Sequence, residues 1–375
     1  MIPKREKQIT RRSFLRLAGL TAGAAALAPF LKACQSAGLT PTPQPAPTLP
    51  EPTVMTFQPT ATVSPAPMPT STEEPGIVKL AFVRTRDRSA GVRQALDLLG
   101  MNPVQGKDIL LKPNYNSADP APASTHTDTL RALIEWMQSM GAQQITVADR
   151  SGQGNSRNVM QDHGVFDLAR QLGFSTLSFE DLAETDWTLI QPPGSHWSNG
   201  FPFARPVLEA GAVVSTCCLK PHRFGGHFTL SLKNTVGMVG KYYNGRNYMT
   251  ELHNSPDQRL MIAEANTAYS PALVVLDGVE AFIDRGPNVG TKVWGEVVLA
   301  GTDRVAMDAV GLTLLRLLGY NGIAAQGLVF GQDQIRRAVE LGLGVTGPEK
   351  IRLLTSDDAS RTYADQVLST LLQSG

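Results

Sequence analysis

From residue 77 onward, short apolar runs alternate with segments in which apolar residues recur every three or four positions. The apolar runs predict strands and the longer periodic segments predict helices. The predicted strands are 77–83, 108–111, 145–148, 212–218, 272–276, 296–300 and 351–354, and the predicted helices are 89–99, 128–140, 165–172, 256–269, 304–318 and 332–341. Because this alternation is typical of βαβ units, we expect an α/β fold with a mostly parallel twisted sheet and helices on both faces.

Charged or titratable side chains follow four of the predicted strands at the point where each strand ends. In an open α/β sheet, the ligand crevice lies beyond the carboxyl ends of the strands. We therefore expect these side chains to meet in one crevice, whereas each taken alone would simply end its strand and meet water. The residues are Lys112, Asp149, Lys220 with His222, and Asp277.

A glycine pair precedes a helix predicted over residues 228–238. Glycines before a helix amino terminus can present backbone N–H groups to an anion. Lys233 lies one turn into this helix, where it faces either the same opening or solvent. The residues expected to bind an anion here are Arg223, Gly225, Gly226 and Asn234.

Three of the six histidines, His222, His227 and His253, fall within 32 residues. Three interpretations are open for them. They could hold a divalent metal with one open position, with Asp277 as a further ligand. One of them could instead act as a general acid or base. The remaining interpretation is a set of hydrogen-bonding loop residues.

The distribution of charge and cysteine excludes several classes of function. Residues 1–33 hold seven of the 34 bases and one of the 33 acids, and residues 34–75 hold three acids and no base, so residues 76–375 carry 27 bases and 29 acids. A segment at net −2 without a basic stripe predicts no nucleic-acid partner. The three cysteines lack Cys-x-x-Cys spacing, so we expect no iron–sulfur cluster. The serine-hydrolase elbow and the dinucleotide-binding glycine fingerprint are absent from the sequence as well.

The amino-terminal residues are typical of an export signal. Arg11 and Arg12 precede an uncharged run over 17–31 that is too short for a comfortable membrane span, and this arrangement resembles a twin-arginine signal. Residues 31–34 (Leu-Lys-Ala-Cys) are similar to the lipobox of bacterial lipoproteins. We therefore expect residues 1–33 to be a signal peptide read by the twin-arginine machinery. Lipidation of Cys34 would anchor the protein to the membrane on its extracytoplasmic side.

The next segment, residues 34–75, is rich in proline and threonine. Eleven of the 26 prolines lie between residues 39 and 75, with few large apolar residues among them. Such a composition cannot bury enough apolar surface to offset the entropy of ordering. The sequence predicts a disordered tether here and an α/β domain over residues 76–375.

The order of short motifs resembles the domain-of-unknown-function family numbered 362. The resemblance covers about residues 78–355. It implies homology more than chemistry, because the activity of the family is not established. Some members carry an added ferredoxin-like module with an iron–sulfur cluster, and this chain lacks the cysteines for one. The motifs are Lys112-Pro113-Asn114, Ser124-Thr125, Leu219-Lys220-Pro221-His222, Leu232-Lys233-Asn234 with Gly237, His253, Asp277-Gly278, Gly286-Pro287 and the run from Ala300 to Ala309.

These observations predict an exported, lipid-anchored enzyme that acts on a small anionic substrate, with or without a divalent metal. The alternative is an extracytoplasmic protein that binds a metal or an anion without turnover. The residues expected to be catalytic are Lys112, Lys220, His222, Lys233 and Asp277.

Overall fold

The computed structural model describes residues 76–374. The expected export signal with Arg11 and Arg12, the lipidation site Cys34 and the proline-rich tether lie outside the described residues. None of the helices in the described part is both long and apolar enough to cross a membrane.

The described residues form strands and helices that alternate along most of the chain. The strands are β1 (Val78–Arg84), β2 (Asp108–Lys112), β3 (Gln144–Asp149), β4 (Ser175–Ser178), β5 (Trp187–Ile190), β6 (Phe201–Ala204), β7 (Ala212–His222), β8 (His227–Thr229), β9 (Tyr242–Tyr243), β10 (Arg246–Asn247), β11 (Leu273–Phe282), β12 (Lys292–Gly301) and β13 (Ile351–Leu354). The helices are α1 (Arg88–Leu99), α2 (Thr127–Ser139), α3 (Ser156–Asp162), α4 (Val165–Leu172), α5 (Arg205–Glu209), α6 (Ser231–Asn234), α7 (Tyr248–Asn254), α8 (Gln258–Ala265), α9 (Arg304–Leu317), α10 (Asp333–Glu340) and α11 (Asp358–Ser374).

One large sheet organises the fold. Its strand order is β13-β1-β12-β11-β7-β2-β3-β4, with β8 paired to the end of β7. In the main path, β12 runs antiparallel to its neighbours β1 and β11, and the other pairs are parallel. The expected α/β architecture with a mostly parallel sheet flanked by helices is confirmed.

Alternate side chains of each strand enter different cores, because successive residues of a strand point to opposite faces of the sheet. In β1, Leu80 and Phe82 belong to the core that contains α9 and α11. Ala81 and Val83 belong to the core that contains α1 and α2. A third core beside β2 and β3 contains α8 and the β5–β6 pair. Helices therefore cover both faces of the sheet.

Local capping explains why the predicted helices begin and end close to the observed positions. Asp87 accepts a hydrogen bond from the Ala90 N–H at the start of α1, and Gly100 ends that helix in the left-handed conformation. Asp303 accepts a hydrogen bond from the Ala306 N–H at the start of α9 in the same way. A side chain with an oxygen just before a helix and a glycine just after it can both be recognised in the sequence.

Two strands extend further than the sequence predicts. β7 continues through Lys220 to His222, and β11 continues through Asp277 to Phe282. Every residue of β7 is buried, so its polar side chains lie inside the protein and do not mark the point where the strand meets water. Asp277 is thus an internal residue of β11 rather than the residue that follows its end.

The helix predicted over 228–238 is wrong. β8 occupies its first residues and pairs antiparallel with β7, and a 3₁₀ turn from Thr235 to Met238 follows α6. Gly225 and Gly226 lie in the turn of the β7–β8 hairpin and not at a helix amino terminus. The amino terminus of α6 is occupied by the carboxylate of Asp308, which accepts hydrogen bonds from the backbone N–H groups of Ser231 at 2.7 Å and of Leu232 at 3.3 Å.

Candidate functional site

A cleft of about 130 Å³ lies beyond the carboxyl ends of β2, β3 and β7. Lys112 and Asp149 end the first two of these strands, and His222 ends the third. α6 and the turn after it supply Lys233, Asn234 and Gly237 to the wall of the cleft. The sheet edge therefore collects side chains from four separate segments of the chain.

Lys112 and Asp149 form a buried ion pair at the floor of the cleft. The Lys112 Nζ lies 2.6 Å from Asp149 Oδ1, and the two side chains are 1% and 2% exposed. Lys112 also donates hydrogen bonds to the Pro113 carbonyl at 2.7 Å and to Asn234 Oδ1 at 3.1 Å. Burial lowers the pKa of Lys112 below its usual range, although Asp149 opposes that shift. The charge of this lysine is compensated by the carboxylate beside it.

Arg150 is buried beside this pair and has only neutral hydrogen-bond partners. Its guanidinium donates to the carbonyl oxygens of Val236 at 2.7 Å, Val239 at 2.9 Å and Ser151 at 3.3 Å. No carboxylate of the described residues forms an ion pair with it, and burial lowers its pKa. Arg150 therefore leaves a positive charge at the cleft that no direct partner neutralises.

Lys220 is fully buried in β7 and also has no carboxylate partner within residues 76–374. Its Nζ donates to the Ala123 carbonyl. Burial lowers the pKa of Lys220. Lys220 does not line the cleft itself, but its charge lowers the pKa of Lys233 and of His222, which do.

Lys233 is half-buried in the cleft wall and forms no hydrogen bond or ion pair with another described residue. Burial lowers its pKa to about 7, and the positive charges of Arg150, Lys220 and Lys112 add to the shift. The amine of Lys233 therefore exchanges its proton near neutral pH.

His222 is adjacent to Lys233. A Cβ placed on Gly226 would lie 3.0 Å from His222 Nδ1 and 3.3 Å from Lys233 Cε, so both side chains pack against the same stretch of backbone. Burial and the nearby charge of Lys233 hold the pKa of His222 well below its usual range. The His222 Nδ1 is buried without a hydrogen-bond partner among the described residues.

Several other polar atoms in the cleft wall are buried and unpartnered. Buried polar groups of folded proteins are normally paired with protein, water or ligand, so a cluster of unpaired ones indicates a place where polar molecules bind. The five atoms in the lining that have no partner within residues 76–374 are Asn114 Oδ1, the Tyr115 hydroxyl, Asn116 Nδ2, His222 Nδ1 and the Thr229 hydroxyl.

The residues predicted from sequence to bind an anion are only partly brought together. Asn234 lines the cleft, and its amide N–H groups donate to the Ser215 hydroxyl and the Thr216 carbonyl, which fixes its orientation. Arg223 is exposed and stacks on the ring of Phe224. Gly225 lies in the hairpin turn outside the lining, whereas the backbone of Gly226 supports His222 and Lys233.

Asp277 is not among the residues that line the cleft. Its carboxylate pairs with Arg88 at 2.9 Å and accepts a hydrogen bond from the Thr129 hydroxyl at 2.6 Å. This buried network joins β11 to α1 and α2. The expectation that Asp277 meets the strand-end lysines depended on a strand boundary after residue 276, and the strand does not end there.

The three histidines proposed as metal ligands do not converge. His222 and His253 line the cleft, but His227 does not, and the His253 Nδ1 lies 2.7 Å from the Met249 carbonyl. Within residues 76–374, no group of three or more His, Cys, Asp or Glu side chains is placed to hold a metal ion. The donors present at the cleft are those that suit an anion.

Sequence reasoning missed Arg150 and the polar side chains of Tyr115, Asn116 and Thr229. Arg150 follows Asp149 directly, so its position after a strand was visible in the sequence. Nothing in the pattern of residues indicated that the side chain would turn inward and bind carbonyl groups of the 3₁₀ turn.

Gly237 permits the close approach of the cleft wall to the buried ion pair. A Cβ at this position would lie 2.7 Å from both Lys112 Nζ and Asp149 Oδ1. We therefore expect Gly237→Ala to displace the pair and to lower the free energy of unfolding by about 1–3 kcal/mol in chemical denaturation. Gly331→Ala, whose added Cβ would first meet the Leu328 side chain at 3.3 Å, is the matched control. Equal stability of the two variants would contradict the close packing described here.

The family model described as domain of unknown function (DUF362) matches residues 109–313. Among curated proteins, the chain is similar to the thylakoid-associated protein sll1697 of Synechocystis sp., with 24% identity over 215 residues, which are 56% of this chain and 64% of that protein. Among solved structures, it is similar to the lactate racemase apoprotein from Thermoanaerobacterium thermosaccharolyticum. That match has 17% identity and a TM-score of 0.37, and it covers 61% of this chain and 54% of the other. The chain thus spans less than two thirds of the length of either protein.

Proposed function

The chain belongs to the DUF362 family, and on that premise we propose that it is an enzyme that acts on a small anionic substrate bound in the cleft beyond β2, β3 and β7. The observation that carries this proposal is the excess of positive charge at the cleft. Lys112 is paired with Asp149, whereas Arg150 and Lys233 in the lining have no carboxylate partner among the described residues. Lys220, outside the lining, has none either. A buried charge without a partner is costly, and a bound anion relieves that cost.

The size and lining of the cleft restrict the substrate. Pockets for drug-sized ligands hold about 300–1,000 Å³, whereas this one holds about 130 Å³. Tyr115, Asn116 and Thr229, whose hydroxyl and amide groups have no partner among the described residues, lie in the lining beside the cations. A short carboxylate or phosphate compound with further polar groups fits this lining best.

Catalysis rather than binding alone is supported by Lys233 and His222. An anion-binding site requires only fixed positive charge, but Lys233 has a pKa of about 7 and His222 keeps a free imidazole nitrogen. Groups that exchange protons near the working pH are those that serve as acids, bases or nucleophiles. We assign the anchoring of the anion to Arg150 and the protonated form of Lys233, and proton transfer to Lys233 with the neutral imidazole of His222 beside it.

Anion binding is tested with oxalate, which keeps its charge between about pH 6 and pH 8. We expect calorimetry to show affinity about tenfold weaker at the higher pH, because Lys233 loses its positive charge as the pH rises through about 7. Lys233→Gln should bind weakly at both pH values. Lys107→Gln is the matched control, since Lys107 is exposed and does not line the cleft.

Absence of oxalate binding at both pH values would overturn the proposed function. Turnover is tested separately with a screen of phosphate esters and carboxylates in which Lys233→Gln and His222→Gln should lose product formation. Saturable binding without any product across the screen would favour the alternative, an anion-binding protein.

We also propose that this chemistry takes place on the extracytoplasmic side of the membrane. The support is the sequence alone, with the twin-arginine pair Arg11 and Arg12 and the lipobox that ends at Cys34.

A further inference from the structure

An amine without hydrogen-bond partners is uncommon inside a polar cleft. Lys112, Arg150 and Lys220 are each held by carbonyl, amide or carboxylate groups, but the Lys233 Nζ is held by none within residues 76–374. Other cations surround it, and no carboxylate pairs with it. Desolvation and neighbouring positive charge are the two means by which proteins convert a lysine into a nucleophile.

We propose that Lys233 is a nucleophilic amine that forms an imine with the carbonyl carbon of an anionic aldehyde or 2-oxo acid. This inference rests on the proposed function, because the anionic group of the compound is held by Arg150 while its carbonyl reaches Lys233. It narrows the substrate class from small anions to those with a carbonyl next to or near the charge.

The position of His222 suits this reaction. Its neutral imidazole packs against the same glycine backbone as the Lys233 side chain, and its Nδ1 is buried and unpartnered. Imine formation moves protons from nitrogen to oxygen, and a neutral imidazole beside the amine provides a nitrogen through which they can pass.

The steps balance without any oxidant or reductant. The Lys233 lone pair forms a bond to the carbonyl carbon, and the carbonyl electron pair moves to the oxygen, which takes up a proton as the nitrogen loses one through His222. The hydroxyl then accepts a second proton, also released by the nitrogen, and leaves as water. One amine and one carbonyl thus give one imine and one water.

The test uses glyoxylate as the anionic aldehyde and sodium cyanoborohydride to reduce the imine to a stable carboxymethyl amine. We expect one adduct per chain by intact mass and peptide mapping to Lys233, formed at least about tenfold faster than at other lysines. An amine with a pKa of about 7 is largely neutral at about pH 7.5, whereas an ordinary lysine with a pKa of about 10.4 is almost wholly protonated. The rate should rise between about pH 6 and pH 8 and then level off.

Two variants and a competitor complete the experiment. Lys233→Arg keeps the charge and should abolish the adduct while oxalate still binds, whereas a variant of an exposed lysine outside the cleft, Lys107→Arg, should label Lys233 at the wild-type rate. Oxalate should suppress labelling of the wild-type protein. Because the adduct is mapped in the wild-type chain, the result does not depend on how well either variant folds.

The outcomes separate this inference from the proposed function. Oxalate binding together with adducts spread over exposed lysines, at a rate unchanged in Lys233→Arg, would overturn the imine and leave anion binding intact. If an adduct forms at Lys233 and oxalate does not slow its formation, the result would support the nucleophile and overturn the anion site. Absence of both would overturn both.

Discussion

Replacing Asp149 by alanine is expected to lower the free energy of unfolding by about 3–5 kcal/mol, because it leaves a buried charge without its partner. The Lys112 ammonium would lose the carboxylate that lies 2.6 Å away. The backbone N–H groups of Tyr115 and Arg150, which donate to the same carboxylate at 2.8 and 2.7 Å, would lose their acceptor as well. Chemical denaturation monitored by circular dichroism measures the effect.

Two further variants show whether the loss arises from the unpaired charge. Asp149→Ala combined with Lys112→Met removes both charges and should recover part of the lost stability. Asp358→Ala removes a carboxylate that is 92% exposed and should change stability by less than about 0.5 kcal/mol. If the double variant loses more unfolding free energy than the two single variants together, this result would argue against a paired charge at this position.

The second large effect is a pH dependence of the free energy of unfolding, which arises from Asp308. This carboxyl group is fully buried against the amino terminus of α6, and burial raises its pKa to about 7. The unfolded chain has the ordinary pKa near 3.8, so between these values the folded state binds the proton more tightly than the unfolded state. The contribution of Asp308 to stability is therefore fully present below about pH 4 and is lost as the pH rises to about 7, by about 1.4 kcal/mol per pH unit or about 4 kcal/mol altogether.

Asp308→Asn isolates this contribution, because the amide oxygen can accept the Ser231 hydrogen bond but does not titrate. We expect the stability of the wild-type protein relative to Asp308→Asn to fall by about 4 kcal/mol between about pH 4 and pH 7 and to stay constant above that range. Other titrating groups are common to both proteins and cancel in the difference. Parallel stability profiles for the two proteins would show that Asp308 does not titrate in this range.

The sequence predicted those parts of the fold that local signals specify. α4 (Val165–Leu172) and β13 (Ile351–Leu354) have the predicted bounds, and α1 and α9 begin within one residue of them. Their caps and terminal glycines are short-range features. α11 was missed, although its buried residues Ala364, Val367 and Leu371 recur at helical spacing.

The candidate site was predictable only where a polar residue really ended its strand. Lys112 and Asp149 do so, and they meet. Asp277 does not, because Arg88 from α1 compensates its charge inside the sheet and allows β11 to continue. A partner 189 positions away in the sequence cannot be read from local periodicity. The same holds for Arg150, whose acceptors lie 86 and 89 positions further along the chain.

The place of β1 in the sheet has a consequence for the order in which the protein is made. β1 is the first strand of the described chain, yet its neighbours in the sheet are β12 and β13. Arg84 at its end bonds to Glu296, 212 positions later, and to Ser360, 276 positions later. On a ribosome, the hydrogen-bonding edges of β1 must wait for nearly the whole chain before they can be paired, and contacts over such separations form slowly. Truncated or stalled chains would expose that strand, so we expect them to be the species that chaperones bind and that aggregates contain.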